Sequence, residues 1–207
     1  VEKGEAIGAK TQRERDWLAA IEAFYKDFDK VDQETRTRNY AKAMEALAKK
    51  YPNDVEAKIF YALALNETFD HKSMAPLLKA IQILEPLDKK YPEHPGITHY
   101  LIHSYDFAPI AKKGVPAANK YAKIAPSAPH AQHMPSHIYS MVGMWRESIS
   151  SNLSAVKIAN EYAAQSKLDG TLSGVPHAYD FMQYAYLQLG QDAKAKALIE
   201  ESAAVKK

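Results

Sequence analysis

Apolar residues recur along the chain at intervals of three and four, which is the period of an amphipathic helix. One face of the first predicted helix carries Trp17, Ile21, Phe24 and Phe28. A capping box of Thr11 and Glu14 marks its start. The same pattern predicts helices over about 32–50, 54–65 and 74–90, with Pro86 bending or breaking the last one. No stretch alternates with period two for long enough to predict a strand, so the expected fold class is all-α.

Short motifs repeat in the second half of the chain. The segment Pro95–His103 resembles Pro129–His137 at an offset of 34 residues, and a third copy starts at Pro176, after a longer interval of 47. A 34-residue period is that of the tetratricopeptide repeat, in which stacked helix pairs bury their apolar faces against neighbours. We therefore predict an α-solenoid of about five antiparallel helix pairs in a right-handed superhelix. It would form a single domain over 11–207, after an N-terminal extension at 1–10.

Several longer motifs resemble a family of bacterial tetratricopeptide-repeat proteins. They are HPGITHYLIHSYD at 94–106, YAKIAPSAPHAQHMPSHIY at 121–139 and the Gly-x-Trp of 143–145, together with RERDWLAAIEAFY at 13–25 and YPNDVEAKIFYALAL at 51–65. The resemblance covers roughly Thr11 to Gln191 and implies an α-solenoid of bacterial origin, with full-length relatives that extend beyond this segment. It implies no mechanism, since no activity is established for that family.

Composition and charge exclude several classes of function for this protein. With 27 basic and 25 acidic residues the formal net charge is +2, which provides no basic field for nucleic acid. No apolar stretch approaches the roughly 20 residues of a membrane span. The chain contains 0 Cys residues, which excludes disulfides, thiolate metal sites and thiol catalysis. We expect a soluble bacterial protein of the cytoplasm or periplasm, and Val1 is either a natural terminus or a cut.

Histidines and carboxylates fall at equivalent positions of three successive A helices, the first helices of each pair. The repeat alignment matches His99 with His133 and Asp180, His103 with His137 and Tyr184, Asp106 with Ser140, and His130 with His177. Residues four apart share one face of a helix, so each helix presents a pair to the same side. In tetratricopeptide arrays these positions line the concave groove, where neighbouring imidazoles are expected to meet.

Three interpretations of this constellation stay open. The first is a structural ladder of hydrogen-bonded histidines and tyrosines that joins adjacent repeats. The second is a groove that recognises a protein or peptide partner or a small ligand. Its lining would be His99, His103, Asp106, His130, His133, His137, Ser140, His177, Asp180 and Tyr184. The third is a transition-metal site for Zn, Fe or Cu, formed by His99, His103, His133 and His137 with Asp106 or Asp180.

The leading functional prediction is a non-enzymatic binding or scaffold module, and the alternative is a metalloprotein, either metal-binding or a metal-dependent hydrolase. No nucleophile elbow or phosphate loop is present, and no HExxH glutamate accompanies the histidine pairs. Ser140, His137 and Asp106 lie in register, but nothing further supports a catalytic triad. Pro135 should kink the helix that carries His133 and His137. We expect core packing from Met134, Met141, Met144 and Trp145.

Overall fold

The computed structural model describes residues 1–204, and this part of the chain is helical without β-strands. The helices are α1 (Glu2–Ile7), α2 (Gln12–Tyr25), α3 (Gln33–Lys50), α4 (Val55–Glu67), α5 (Ala75–Lys90), α6 (Pro95–Tyr105), α7 (Val115–Ile124), α8 (Pro129–His133), α9 (Pro135–Met141), α10 (Trp145–Gln165), α11 (Gly174–Gln188) and α12 (Asp192–Ala204). A 3₁₀ turn at Ala111–Gly114 precedes α7. None of the helices described here is both long and apolar enough to cross a membrane.

The chain divides into two compact units, and the first spans Val1–Pro92. Its helix boundaries follow the predicted signals. Thr11 and Glu14 form the capping box of α2, and the carboxylates of Asp32 and Asp54 accept backbone N–H bonds at the starts of α3 and α4. Helix α2 packs on α3, α3 on α4, and α4 on α5, around fully buried side chains such as Met44 and Leu84.

One sequence expectation in this unit is wrong, and of the two outcomes expected at Pro86 the break does not occur. Helix α2 ends at Tyr25, so Phe28 lies beyond it with 70% of its surface exposed and does not share the apolar face. Pro86 does not end α5, which continues to Lys90. The pyrrolidine ring removes one backbone donor, but Leu84 just before it is completely buried, and we attribute the continued helix to that packing.

The second unit begins at Glu93. Helix α6 pairs with α7, the short helices α8 and α9 pair with α10, and α11 pairs with α12. Small residues lie where the paired helices pack: Ser136 and Ser148 have no exposed surface, and Ala155 is buried. The methionine expectation holds only in part, because Met134 is buried whereas Met141 is 48% exposed.

Over residues 1–204, five helix pairs follow α1, as the repeat pattern predicts, and the fold is an all-α solenoid. The extra residues before the third motif copy form the last turns of the 21-residue helix α10 and the loop that follows it. The prediction that 11–207 is one domain stays a prediction, and residues 205–207 lie outside the described part.

Candidate functional site

A break between α8 and α9 places two histidines side by side. Pro135 has no N–H to bond a carbonyl of the preceding turn, and the helix is interrupted at Met134, as the sequence predicts. His133 ends α8 and His137 lies in α9. Their Nε2 atoms are 3.0 Å apart.

Six imidazoles meet in one cluster within the second unit, on the layer formed by the A helices α6, α8–α9 and α11. His103 of α6 lies 5.9 Å from His137, and His99 lies 5.1 Å from His130, measured between ring centroids. His177 of α11 lies 4.6 Å from His133. His103 and His137, which the repeat alignment matches, are therefore neighbours in space, whereas the other two contacts join positions that the alignment does not match. We call these six residues the histidine cluster.

The hydrogen bonds of His133 and His137 fix where their protons lie. The side-chain NH₂ group of Asn152 donates to the Ser148 carbonyl, so the side-chain oxygen of Asn152 faces His133. That oxygen accepts a hydrogen bond from Nδ1–H of His133 at 2.6 Å. His137 donates its Nδ1–H to the Asp106 carboxylate at 2.8 Å. When both rings are neutral, neither Nε2 atom carries a proton, and the two unprotonated nitrogens lie 3.0 Å apart. A metal ion between them would remove their mutual repulsion.

The pair on α6 has a different hydrogen-bonding pattern. The Nε2 atoms of His99 and His103 are also 3.0 Å apart, and Nδ1 of His99 lies 3.0 Å from the Tyr121 hydroxyl. If that hydroxyl donates to Nδ1, then His99 can donate its Nε2–H to His103. This pair is satisfied without a further cation.

Burial keeps the buried rings neutral. Desolvation, strengthened by neighbouring histidines, lowers the pKa of His99 to about 3 and of His103 to about 4. Desolvation likewise lowers the pKa of His133 to about 4, although the hydrogen bond to Asn152 acts in the opposite direction. Desolvation also lowers the pKa of His130. Neutral imidazoles are the form that binds metal ions.

The cluster contains two triads that could each hold one ion. The first is His99, His103 and His130, and the second is His133, His137 and His177; within each triad the candidate ligand nitrogens lie within 4.8 Å of one another. Two nitrogens at 2.0–2.1 Å from one ion are about 2.9–3.4 Å apart, so the 3.0 Å pairs already have the spacing of ligands. The exposed rings His130 and His177 would close onto the ion by rotation. Phe181 packs edge-on against His133 at 5.0 Å and shields the second triad.

A cavity of about 330 Å³ opens beside the cluster. Rings of both triads line one wall: His130, His133 and His177. Ala155 and Ala159 of α10 form an apolar part of the lining. The remaining lining comes from Pro129 and from residues 172–175 at the start of α11.

Three predicted site residues lie outside the cluster. The Ser140 hydroxyl pairs with the Ser148 hydroxyl at 3.0 Å, so the structure gives a His137–Asp106 pair but no serine triad. Tyr184 packs against Trp145 and is 54% exposed. Asp180 is exposed, and no described hydrogen bond or ion pair joins it to the histidines. The α11 positions that align with His133 and His137 therefore do not contribute to the cluster, whereas His177, one turn earlier, does.

Sequence reasoning missed three residues that position the rings: Tyr121, Asn152 and Phe181. Asn152 carried a usable signal, because it falls on the buried stripe Ser148, Asn152, Ala155 and Ala159 of α10, where an amide needs a polar partner. Tyr121 lies on the B helix α7, outside the motif alignment.

Solved structures of similar fold cover nearly the whole chain. MamA (residues 41 to the end) from Desulfovibrio magneticus RS-1 superposes with a TM-score of 0.69 at 11% identity, covering 95% of this chain and 96% of that one. TTC0263, a thermophilic TPR protein in Thermus thermophilus, gives 0.61 at 13% identity, with 93% and 91% covered. The chain has the tetratricopeptide-repeat fold. At these identities the likeness concerns the fold alone.

Sequence comparisons add no relative. No family model matches the chain. No curated protein matches it either. The resemblance of its histidine motifs to a bacterial repeat family stays a prediction.

Proposed function

We propose that this protein binds a first-row transition-metal ion, Zn²⁺ or Cu²⁺ before iron, at the triad His133, His137 and His177. The observation that carries the proposal is the pair of Nε2 atoms 3.0 Å apart, whose Nδ1 protons are both engaged elsewhere. Two converging lone pairs repel each other unless a cation lies between them. A bound ion supplies that cation and His177 supplies a third nitrogen.

The outer hydrogen bonds support the same proposal. Histidines that bind a metal through one nitrogen usually donate the other N–H to a carboxylate or carbonyl oxygen, which fixes the tautomer and the ring orientation. Asp106 and Asn152 provide such oxygens for His137 and His133.

The second triad extends the proposal to a second ion of lower affinity. His99, His103 and His130 offer three nitrogens, but Tyr121 can satisfy His99 without a metal. Occupation of this triad would cost the hydrogen bond between His99 and His103. We therefore expect the His133 triad to fill first.

Metal analysis of untagged protein tests the proposal. Protein dialysed against Zn²⁺ and then freed of excess metal should retain one tightly bound ion per chain, measured by plasma mass spectrometry. The His133→Ala, His137→Ala double variant should lose it. His71→Ala is the matched control, because His71 is exposed and outside the cluster, and it should retain the ion.

A second readout guards against misfolding of the double variant. An ion that binds only the folded state, at a hundredfold excess over its Kd, stabilises it by about 2.7 kcal/mol. In a chain of this length the wild-type melting temperature should therefore rise by about 5–10 °C. No retained metal and no rise with Zn²⁺ or Cu²⁺ would contradict the proposal.

The second candidate is a non-enzymatic binding or scaffold module for a protein or peptide, or for a small ligand. The exposure of His130, His177, Asp180 and Tyr184 favours it, because these side chains are free to contact a partner. Removal of metal with a chelator separates the two candidate functions. A peptide groove would bind its partner equally well in metal-free protein.

A further inference from the structure

We infer that the cavity beside the histidine cluster binds a small carboxylate with a short apolar body, whose oxygen completes the coordination of the proposed ion. This inference rests on the proposed function. It adds a ligand class, and it assigns residues of α10 and α11 that the metal site itself does not use.

The geometry of the triad leaves room for an outside ligand. Three histidine ligands leave one position of a tetrahedral ion open, as in metal sites that take up substrate or water. Two rings of the triad, His133 and His177, also line the cavity. A molecule in the cavity is therefore adjacent to the metal ligands.

The size and lining of the cavity select the body of the ligand. A volume of about 330 Å³ is at the lower end of small-molecule sites. Away from the imidazoles, Ala155, Ala159 and Val175 present methyl groups. This apolar lining favours a few carbon atoms over a sugar or a nucleotide, whose hydroxyl groups would lose water without gaining partners.

The charge distribution selects the head group. The proposed ion is a dication with neutral imidazole ligands, and Asp106 supplies only one negative charge nearby. The N-terminal end of the 15-residue helix α11 lines the same cavity, and its dipole also favours an anion. The described residues that line the cavity include no carboxylate to oppose one. A monoanionic carboxylate fits these conditions better than an amine or a neutral amide.

Cobalt substitution makes the test direct, because the visible spectrum of Co²⁺ responds to a new oxygen ligand. The full chain loaded with Co²⁺ is titrated with butyrate, acetate and butyramide. Butyrate should produce a saturable spectral change, and acetate should bind roughly fifteenfold more weakly, since each buried methylene contributes about fourfold. Butyramide should produce no saturable change.

A cavity-filling variant locates the ligand. A Cβ added at Gly174 meets no atom within 4 Å, so Gly174→Leu should fold, and its side chain would occupy space at the cavity. It should weaken butyrate binding at least tenfold without loss of Co²⁺. Ala164→Leu places the same side chain at an exposed position of α10 outside the cavity lining, and it should leave butyrate binding and Co²⁺ content unchanged.

The outcomes separate this inference from the proposed function. Four results would each overturn the carboxylate site but not the metal site. They are bound Co²⁺ with no spectral response to butyrate, equal affinities for butyrate and acetate, a saturable response to butyramide, and unaltered butyrate binding in Gly174→Leu. A chain that binds no metal at all would overturn both.

Discussion

At the scale of single residues, the positions of two protons decide what the cluster can bind. Asn152 is completely buried, and its amide orientation is set by its bond to the Ser148 carbonyl. His133 must therefore donate to it and leave Nε2 unprotonated. The Asp106 carboxylate imposes the same tautomer on neutral His137. Asn152 and Asp106 thus leave two unprotonated Nε2 atoms side by side, which is what the proposed metal site requires.

Asp106→Asn tests this positioning role. The amide oxygen can still accept from His137, but the negative charge that strengthens the ring as a ligand is lost, so we expect 10–100-fold weaker Zn²⁺ binding. A competition titration with a chromophoric chelator measures the change. Asp180→Asn is the control, because Asp180 is exposed and outside the cluster. Equal affinities in the two variants would rule out the assigned role of Asp106.

At the scale of helices, the cluster depends on how closely α6 approaches α9. Gly114, in the 3₁₀ turn before α7, lies against both helices. A Cβ at this position would lie 2.7 Å from Cβ of Tyr105 and 2.8 Å from Cδ1 of Ile138, closer than such contacts occur. Tyr105 and Ile138 are both buried, so neither can move freely. The absence of a side chain at Gly114 therefore permits the packing that places His103 beside His137.

Gly114→Ala should therefore destabilise the fold. Overpacking by one methyl group costs about 1–3 kcal/mol, which would lower the midpoint of urea unfolding. Gly174→Ala provides the comparison, since its added methyl meets no neighbour within 4 Å. If Gly114→Ala were as stable as Gly174→Ala, the close packing of α6 on α9 would be wrong.

At the scale of the whole molecule, the cluster makes folding depend on pH. The pKa values of His99, His103 and His133 are about 3 to 4 in the folded chain, whereas an unfolded histidine titrates near 6.5. Between these values the unfolded chain binds more protons than the folded one. Stability should therefore be full above pH 6.5 and fall progressively as the pH decreases towards 4.

The melting temperature of chelator-treated protein measures this loss. At pH 5.5 each of the three buried rings should lower the free energy of unfolding by about 1 kcal/mol relative to pH 7.5. Together the three rings should lower the melting temperature by about 5–10 °C. The His133→Ala, His137→Ala variant should show a smaller decrease. A melting temperature that stays constant between the two pH values would mean that the rings are not held neutral by burial.

Much of the fold could be predicted because its signals are local. The capping box at Thr11, the helix starts at about 32 and 54, the helical spacing of apolar residues and the 34-residue offset all depend on chain neighbours or on the repeat period. The apolar stripe failed at Phe28, because the helix ended before the last residue of the stripe. The expected break at Pro86 did not occur, because a packed helix continued through the proline.

The sequence by itself determined the helix pairs and the proximity of His103 to His137, because equivalent positions of stacked repeats lie side by side. Only the tertiary structure decided that His177 enters the cluster while Asp180 and Tyr184 do not, and that Asn152 and Tyr121 hold the rings. The physical reason is that these contacts depend on the relative rotation and separation of particular helices. Half-buried side chains such as Phe181 and glycines such as Gly114 set that rotation and separation, and the repeat period does not specify them.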